Sequence, residues 1–351
     1  MRERSESTVA MSCPVPAVET ERVLLGHGSG GQLSAELLAD IIVPELADGG
    51  IEDAAVVDLS GVDAVFSTDS FVVTPRFFPG GDIGSLAVHG TINDVAMRGA
   101  RPVALSLAYV LEEGLAIDEL RRVTASAAAA ARAAGVPIVT GDTKVVGRGA
   151  VDGMYLNTTG IGIRLPGAVP SATAARPGDA VLLSGPIGAH GTTILAARNS
   201  LGLESDLTSD SRPLHRLVAA MVETAGPAVH ALRDPTRGGL ASSLNEIAAA
   251  SGVAVEIDEP SLPVPAQVAA ACGLLGLDPL HVANEGCLVA FVGPDHADAV
   301  LAAMRSRPEG AAACPIGRVT DGPAGRVTAR TLVGSSRVVD MLVGEQLPRI
   351  C

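Results

Sequence analysis

Residues 83–140 read IGSLAVHGTINDVAMRGARPVALSLAYVLEEGLAIDELRRVTASAAAAARAAGVPIVT. The stretch reads as a helix over Ile83–Arg98 that carries Asn93 and Asp94, then a strand over Val103–Leu111. An alanine-rich helix follows over Ile117–Ala134, stopped by Gly135, and a strand over Val136–Thr140 leads into Gly141-Asp142-Thr143-Lys144. Helices alternating with strands indicate an α/β unit. Short apolar runs at Ala54–Val57 and Val62–Ser67 add strands on one side, and Met154–Ile163 completes the unit on the other. Upstream, Gln32–Leu46 has apolar residues at helical spacing.

A second unit begins after the turn signal Arg176-Pro177-Gly178-Asp179. Its expected strands are Ala180–Ser184, Ala254–Ile257 and Leu288–Val292, and its expected helices Leu240–Ala250 and Asp295–Ser306. The polar run Asn199–Pro213 reads as an exposed loop. The division expected is a leader over 1–20, a first domain over 21–168, a second over 169–334, and a mobile tail over 335–351.

Composition agrees with that scale. At roughly 150 residues per domain, 351 residues make about two. Apolar residues are 47% and aromatic residues 2%, with no Trp, so the core is aliphatic and base-stacking platforms are improbable. The 39 acidic residues against 25 basic ones give a net charge of −14, which repels nucleic-acid backbones and anionic membranes. No apolar run approaches the ~18 residues of a membrane span, and the leader lacks a secretory pattern. Cys13, Cys272, Cys287, Cys314 and Cys351 are scattered and odd in number, which disfavours a disulfide framework or a structural zinc and suits a reducing cytoplasm.

Several residues could carry chemistry. Gly26-His27-Gly28-Ser29-Gly30-Gly31 matches GxGxxG in form and precedes a helix; a phosphate loop and a plain connector fit it equally. Asp53, Asp69, Asp94 and Asp142 stand near expected strand ends or helix faces, where carboxylates could converge on Mg²⁺, or each could cap or face solvent. Asp69 would suit a turn cap, and Asp234 before Pro235 an N-cap. Lys144 could neutralise phosphate or pair with an acid, and Asn284-Glu285-Gly286 could be a turn. His27 and His89 are candidate acid–base groups or ordinary polar histidines. Cys351 ends a 14-residue segment from Val338 whose extended reach is at most ~45 Å; it could carry a covalent group between sites, but on the residues alone an incidental terminal Cys is the better reading.

Taken together, GHGSGGQLSAELL (26–38), TDSFVVTPRFFPGGDIGSLAVHGTINDVAMRGARP (68–102), GDTKVV (141–146), RDPTRGGLASSLNEIA (233–248), ANEGCL (283–288) and the final PRIC (348–351) resemble the HypE family of hydrogenase maturation proteins. The resemblance runs from about Val23 to Cys351. The PRIC ending separates it from the related aminoimidazole ribonucleotide synthases, selenophosphate synthetases and thiamine-monophosphate kinases.

The resemblance implies a two-domain α/β (α+β) fold like that of aminoimidazole ribonucleotide synthase, a flexible C-terminal tail, and a homodimer formed through N-terminal domains. It implies an ATP-dependent carbamoyl dehydratase, a carbon–oxygen lyase. The partner HypF would carbamoylate the Cys351 thiol, and dehydration would yield a thiocyanate. The cyano group would pass to iron on a HypC–HypD scaffold, for a nickel–iron hydrogenase. Catalytic roles then fall to Cys351, Lys144, Glu285 and His27. Nucleotide contacts fall to Gly28, Gly30, Gly31, Asn93, Asp234, Thr236, Arg237, Gly238 and Gly239, and both Mg²⁺ and nucleotide roles to Asp53, Asp69, Asp94 and Asp142. Two other readings stand beside it: a small-molecule ATP-dependent synthase or kinase of the same fold, and a nucleotide-responsive assembly module.

Overall fold

The computed structural model describes residues 27, 30–42, 52–199, 206–342 and 350–351. Strands β1 (Ala55–Asp58), β2 (Asp63–Phe71), β5 (Ala100–Glu112), β6 (Ile138–Val146) and β7 (Met154–Arg164) form one sheet in the order β1-β2-β7-β5-β6. A small hairpin of β3 (Phe77–Phe78) and β4 (Gly81–Asp82) leads into helix α2 (Ile83–Met97), and α3 is Ile117–Ala134. A short α1 spans Gln32–Leu37.

Local chemistry sets these bounds. The Asp82 carboxylate accepts from the backbone N–H groups of Gly84 and Ser85, and the Ser85 hydroxyl accepts from Asp82 N–H, a capping box that starts α2. Helix α3 stops at Gly135, whose φ of 75° is left-handed and whose N–H bonds back into the last turn. Helix α2 is apolar nearly all round because it lies between the sheet and α3; Ile83, Leu86, Val88, Ile92 and Val95 are all fully buried.

The second sheet runs β14-β13-β10-β12-β8-β11-β9, built from β8 (Ala180–Leu183), β9 (Val229–Arg233), β10 (Ala254–Asp258), β11 (Val289–Val292), β12 (Cys314–Thr320), β13 (Val327–Arg330) and β14 (Ser336–Val338). Only the β10–β13 pairing is parallel. Helices α4 (Ala189–Asn199), α5 (His215–Ala225), α6 (Gly239–Ser251), α7 (Ala266–Leu275) and α8 (Ala297–Arg305) complete it. The two-residue period of the strands separates two cores. Val181, Leu183, Val289 and Phe291 pack with Leu240, Leu244 and Ile247 of α6. Leu182, Ala290 and Val292 pack on the other face with Leu217 and Met221 of α5 and Met304 of α8. Ala96 and Met97 of α2 join this second cluster and tie the two sheets together.

Three expectations change. Strand β6 extends through Val146, so Asp142 and Lys144 lie within it rather than after it; parallel pairing to β5, with Val110 opposite Lys144, carries it on. The loop expected to be exposed is so only in part where it is described: Asp206 and Thr208 are exposed, but Ser209 is buried, and its segment bonds to the first domain and to the Glu285 loop. The segment expected to open the tail forms β14 at the sheet edge, followed by the buried Val339.

Candidate active site

A cavity of about 640 Å³ opens between the two sheets. Its walls include His27, Gly30, Gly31, Asp53, Thr68, Asp69, Asp94, Arg233, Thr236, Arg237 and Glu246. Three loops, two strands and two helices supply them. Asp69 projects from β2, two residues before its end, not from a turn cap, and Asp94 from α2. Asp234 and Arg237 come from the turn between β9 and α6.

Gly30 and Gly238 allow the glycine-rich segment to touch that turn. Both have positive φ, 74° and 78°. A Cβ on Gly30 would stand 2.6 Å from the Arg237 carbonyl oxygen, and one on Gly238 would stand 2.6 Å from the Gly30 carbonyl oxygen. Gly238 caps α6 with no side chain, and Thr236 and Arg237 just before it border the cavity. The guanidinium makes that wall receptive to an anion.

The opposite wall is acidic. One carboxylate oxygen each from Asp53, Asp94 and Asp234 lie within 4.8 Å of one another. Ser67 donates its hydroxyl to Asp94, 2.9 Å away, and Arg233 meets Asp53 at 2.9 Å and Glu246 at 2.5 Å. Burial pushes the Asp53 pKa up to about 8 despite Arg233, and that of Asp234 up to about 6. Asp94 is raised well above the usual carboxylate range by burial and by Asp234, Asp69 and Asp53; Asp69 is raised chiefly by burial. Asp234 Oδ2 is buried and has no hydrogen-bond partner among the described residues. An oxygen-only set of acids that repel one another, one of them orphaned, suits a hard cation such as Mg²⁺.

Cys351 reaches this site. Val72 N–H, one residue past β2, donates to the Cys351 main-chain oxygen at 3.1 Å. Arg237 is raised chiefly by Cys351, so the chain's last residue lies within electrostatic reach of the guanidinium. Burial drives the thiol pKa far up, Arg237 opposes that rise, and Glu285, Asp69 and Asp94 add to it. Glu285 is buried and pushed well above its usual value by burial and then by Asp234, Asp210 and Asp69. Its Oε1 has no hydrogen-bond partner among the described residues. The Asp210 carboxylate accepts from the N–H groups of Glu285 and Gly286 and so fixes the loop.

Other expected residues stand apart. Asn93 is buried, but its amide donates to Arg212 O and its oxygen accepts from Leu214 N–H, so it holds the chain rather than facing the cavity. Asp142 and Lys144 pair at 3.4 Å on the open edge of β6 and do not join the cluster within one chain. Thr236 borders the cavity, and Gly239 starts α6 with φ 64°. Gly28 lies outside the described residues. Arg233 and Glu246 were not anticipated. Their charges lie 13 residues apart and meet only in the fold, and the R-D-P-T-R-G-G run was the available signal.

Among the described residues no helix is long and apolar enough to cross a membrane. Residues 51–164 match the family model "AIR synthase related protein, N-terminal domain", and residues 176–330 match the corresponding C-terminal domain. The chain is 52% identical over 340 residues to "Carbamoyl dehydratase HypE" of Rhodobacter capsulatus, covering 95% of this chain and all of that protein. A solved HypE in complex with ATP superposes with a TM-score of 0.80 at 49% identity, covering 94% of this chain and all of that one. A HypE chain from a HypE–HypF complex gives 0.82 at 46% identity, covering 89% and 100%.

Proposed function

The chain belongs to the HypE family of AIR synthase-related proteins, and from that membership we infer that it is a carbamoyl dehydratase of hydrogenase maturation, converting an S-carboxamide on Cys351 into a thiocyanate at the expense of ATP. The observation that carries this reading is the docking of Cys351, whose main-chain oxygen Val72 N–H holds and whose thiol lies within electrostatic reach of Arg237, Glu285, Asp69 and Asp94.

The chemistry fits these groups. The amide oxygen is a poor leaving group; taking the γ-phosphoryl group of ATP turns it into a phosphate ester, with ADP released. One N–H proton leaves as the C=N bond forms. The second leaves as the C–O bond breaks, giving C≡N and free phosphate. Glu285 suits the proton acceptor, since a carboxylate with a raised pKa is the stronger base. Arg237 and the N-terminus of α6 offset charge on the transferred phosphoryl group. Asp53, Asp94 and Asp234, with Asp69 beside them, would hold Mg²⁺, which when bound screens the triphosphate. His27, at the cavity wall, positions substrate.

The docked thiol itself is a poor nucleophile, because burial keeps it protonated. Carbamoyl loading therefore belongs to an undocked tail, and dehydration to the docked one. HypF is the donor in this reading, following the relative's complex, and a HypC–HypD scaffold the acceptor. A cytoplasmic setting suits a mechanism that needs a reduced thiol.

A homodimer completes the site. Among the described residues strand β6 is an edge of the sheet, with Val139 and Val145 about two-thirds exposed, and Phe66 is paired with Ile161, both exposed. A second copy covering this surface would bring Asp142 and Lys144 to its own cavity.

Intact-mass analysis tests the reaction. Incubation with the carbamoyl donor is expected to add one carbamoyl group to Cys351, and Mg-ATP then to remove one water. A carbamoyl adduct on Cys272 or Cys287 instead would overturn the reading.

A further inference from the structure

We propose that His190 is the positioning residue that latches the C-terminal segment into the active site, by donating its Nε2–H to the Ile350 carbonyl. His190 is fully buried in α4, and its Nε2 stands 2.6 Å from Ile350 O. Its other nitrogen, Nδ1, stands 2.8 Å from Ser209 Oγ.

The tautomer follows from the partners. A carbonyl only accepts, so Nε2 carries the proton, and in a neutral ring Nδ1 must then accept from Ser209. Ser209 Oγ is free to donate because it accepts from Ser211 N–H at 3.1 Å. The Phe78 ring meets the imidazole edge-on at 5.5 Å, 89° between planes, which fixes its orientation. A donor held this firmly, with no water-exposed alternative, has one acceptor, and that acceptor belongs to the residue before Cys351.

Two further contacts act in the same place. Ile350 is 4% exposed and joins the cluster of Phe71, Phe78, Ile194, Val268 and Val282. Val72 N–H holds the Cys351 oxygen. The latch is also built into the loop that orders the base: Ser209 donates to His190 Nδ1, and its neighbour Asp210 holds the Glu285 N–H. His190 touches no reacting atom in this arrangement. It acts through Ile350, placing the sulfur and its cargo at Glu285.

This inference rests on the dehydratase reading for its catalytic consequence, but tail docking can be measured without it. The variants are His190→Ala, His190→Leu, which fills the space without a donor, and His190→Gln, which keeps a donor near the Nε2 position. The first readout is the iodoacetamide alkylation rate of Cys351, followed by peptide mass mapping with the half-buried Cys314 as internal reference. Losing one buried hydrogen bond is expected to speed Cys351 alkylation about fivefold in the Ala and Leu variants, with Cys314 unchanged and the Gln variant near wild type. The second readout is single-turnover loss of water from carbamoylated protein with Mg-ATP, expected to slow about tenfold in the same two variants while carbamoyl loading speeds up. A structural defect would slow both steps, so opposite signs identify a latch. Unchanged Cys351 alkylation in folded Ala or Leu protein overturns the proposal. Faster alkylation in a protein whose wild type never loses water leaves the latch standing and overturns the dehydratase reading.

Discussion

Arg233 Nη1 stands 2.9 Å from Asp53 Oδ1, so a cation at the end of β9 in the second domain neutralises an acid that precedes β1 in the first. The same guanidinium holds Glu246 of α6 at 2.5 Å. Both partners are largely buried, and removing one member of such a set strands the others. Arg233→Met is therefore expected to cost about 3 kcal/mol of stability. The urea midpoint would fall, and Asp53→Asn on the same background would recover part of the loss.

Glu285→Gln keeps the shape and removes the base. Carbamoyl loading of Cys351 and ATP binding are expected to persist, while dehydration falls about a hundredfold or more. The loaded carboxamide would accumulate and be seen as a stable mass adduct. Adding Mg-ATP and finding water lost at the wild-type rate would remove Glu285 from the proton transfer.

The acid cluster predicts proton release on Mg²⁺ binding. Asp53 and Asp234 have folded pKa values of about 8 and about 6, above their unfolded values. The folded chain therefore binds more protons than the unfolded one, and its metal-free stability falls as pH rises across that window. Mg²⁺ takes the deprotonated carboxylates, so its stabilising effect is expected to grow from pH 6 to pH 8.5. Melting curves with and without Mg²⁺ at the two pH values check this; equal increments would contradict it.

His89 gives the opposite slope. Burial lowers its pKa to about 4, with Ser211 Oγ at 3.0 Å from Nδ1. Unfolding lets it take up a proton below about pH 6.5, so its contribution to stability is lost as pH falls from there through 4. His89→Gln is expected to make the fold more resistant to acid, by roughly 3 kcal/mol near pH 4. The acid-unfolding midpoint, followed by circular dichroism, should shift downward.

Val145→Asp on the open edge of β6 is expected to yield monomers by light scattering and to abolish dehydration. Lys144→Ala and Glu285→Gln would each be inactive alone. If Lys144 serves the opposite subunit, mixing the two would restore measurable activity through hybrid dimers.

Much of the fold is legible because local chemistry fixes it. Asp82, Ser85 and Gly135 are start and stop signals that need no distant partner, and the expected bounds of α2 and α3 fall within a residue of those observed. Strand ends are less legible, since pairing decides them: β5 and β6 extend each other beyond their apolar runs, and β2 continues through Asp69. The polar segment around Ser209 misleads for another reason. Its side chains look solvent-directed in composition, yet Ser209 meets His190, Asp210 holds the Glu285 N–H and Ser211 meets His89. At the site, the aspartates and the Asp234–Gly239 turn carry a visible motif. The pairing of Arg233 with Glu246 and of His190 with Ile350 has none, because nothing local marks either.

Seating the sulfur beside Arg237 under a raised pKa has a protective side. A thiol held in its protonated form reacts slowly with peroxide and with stray electrophiles. Between rounds, the withdrawn tail would spare its one indispensable atom from oxidation, and damage would concentrate in the brief interval when the segment reaches outward for its next load.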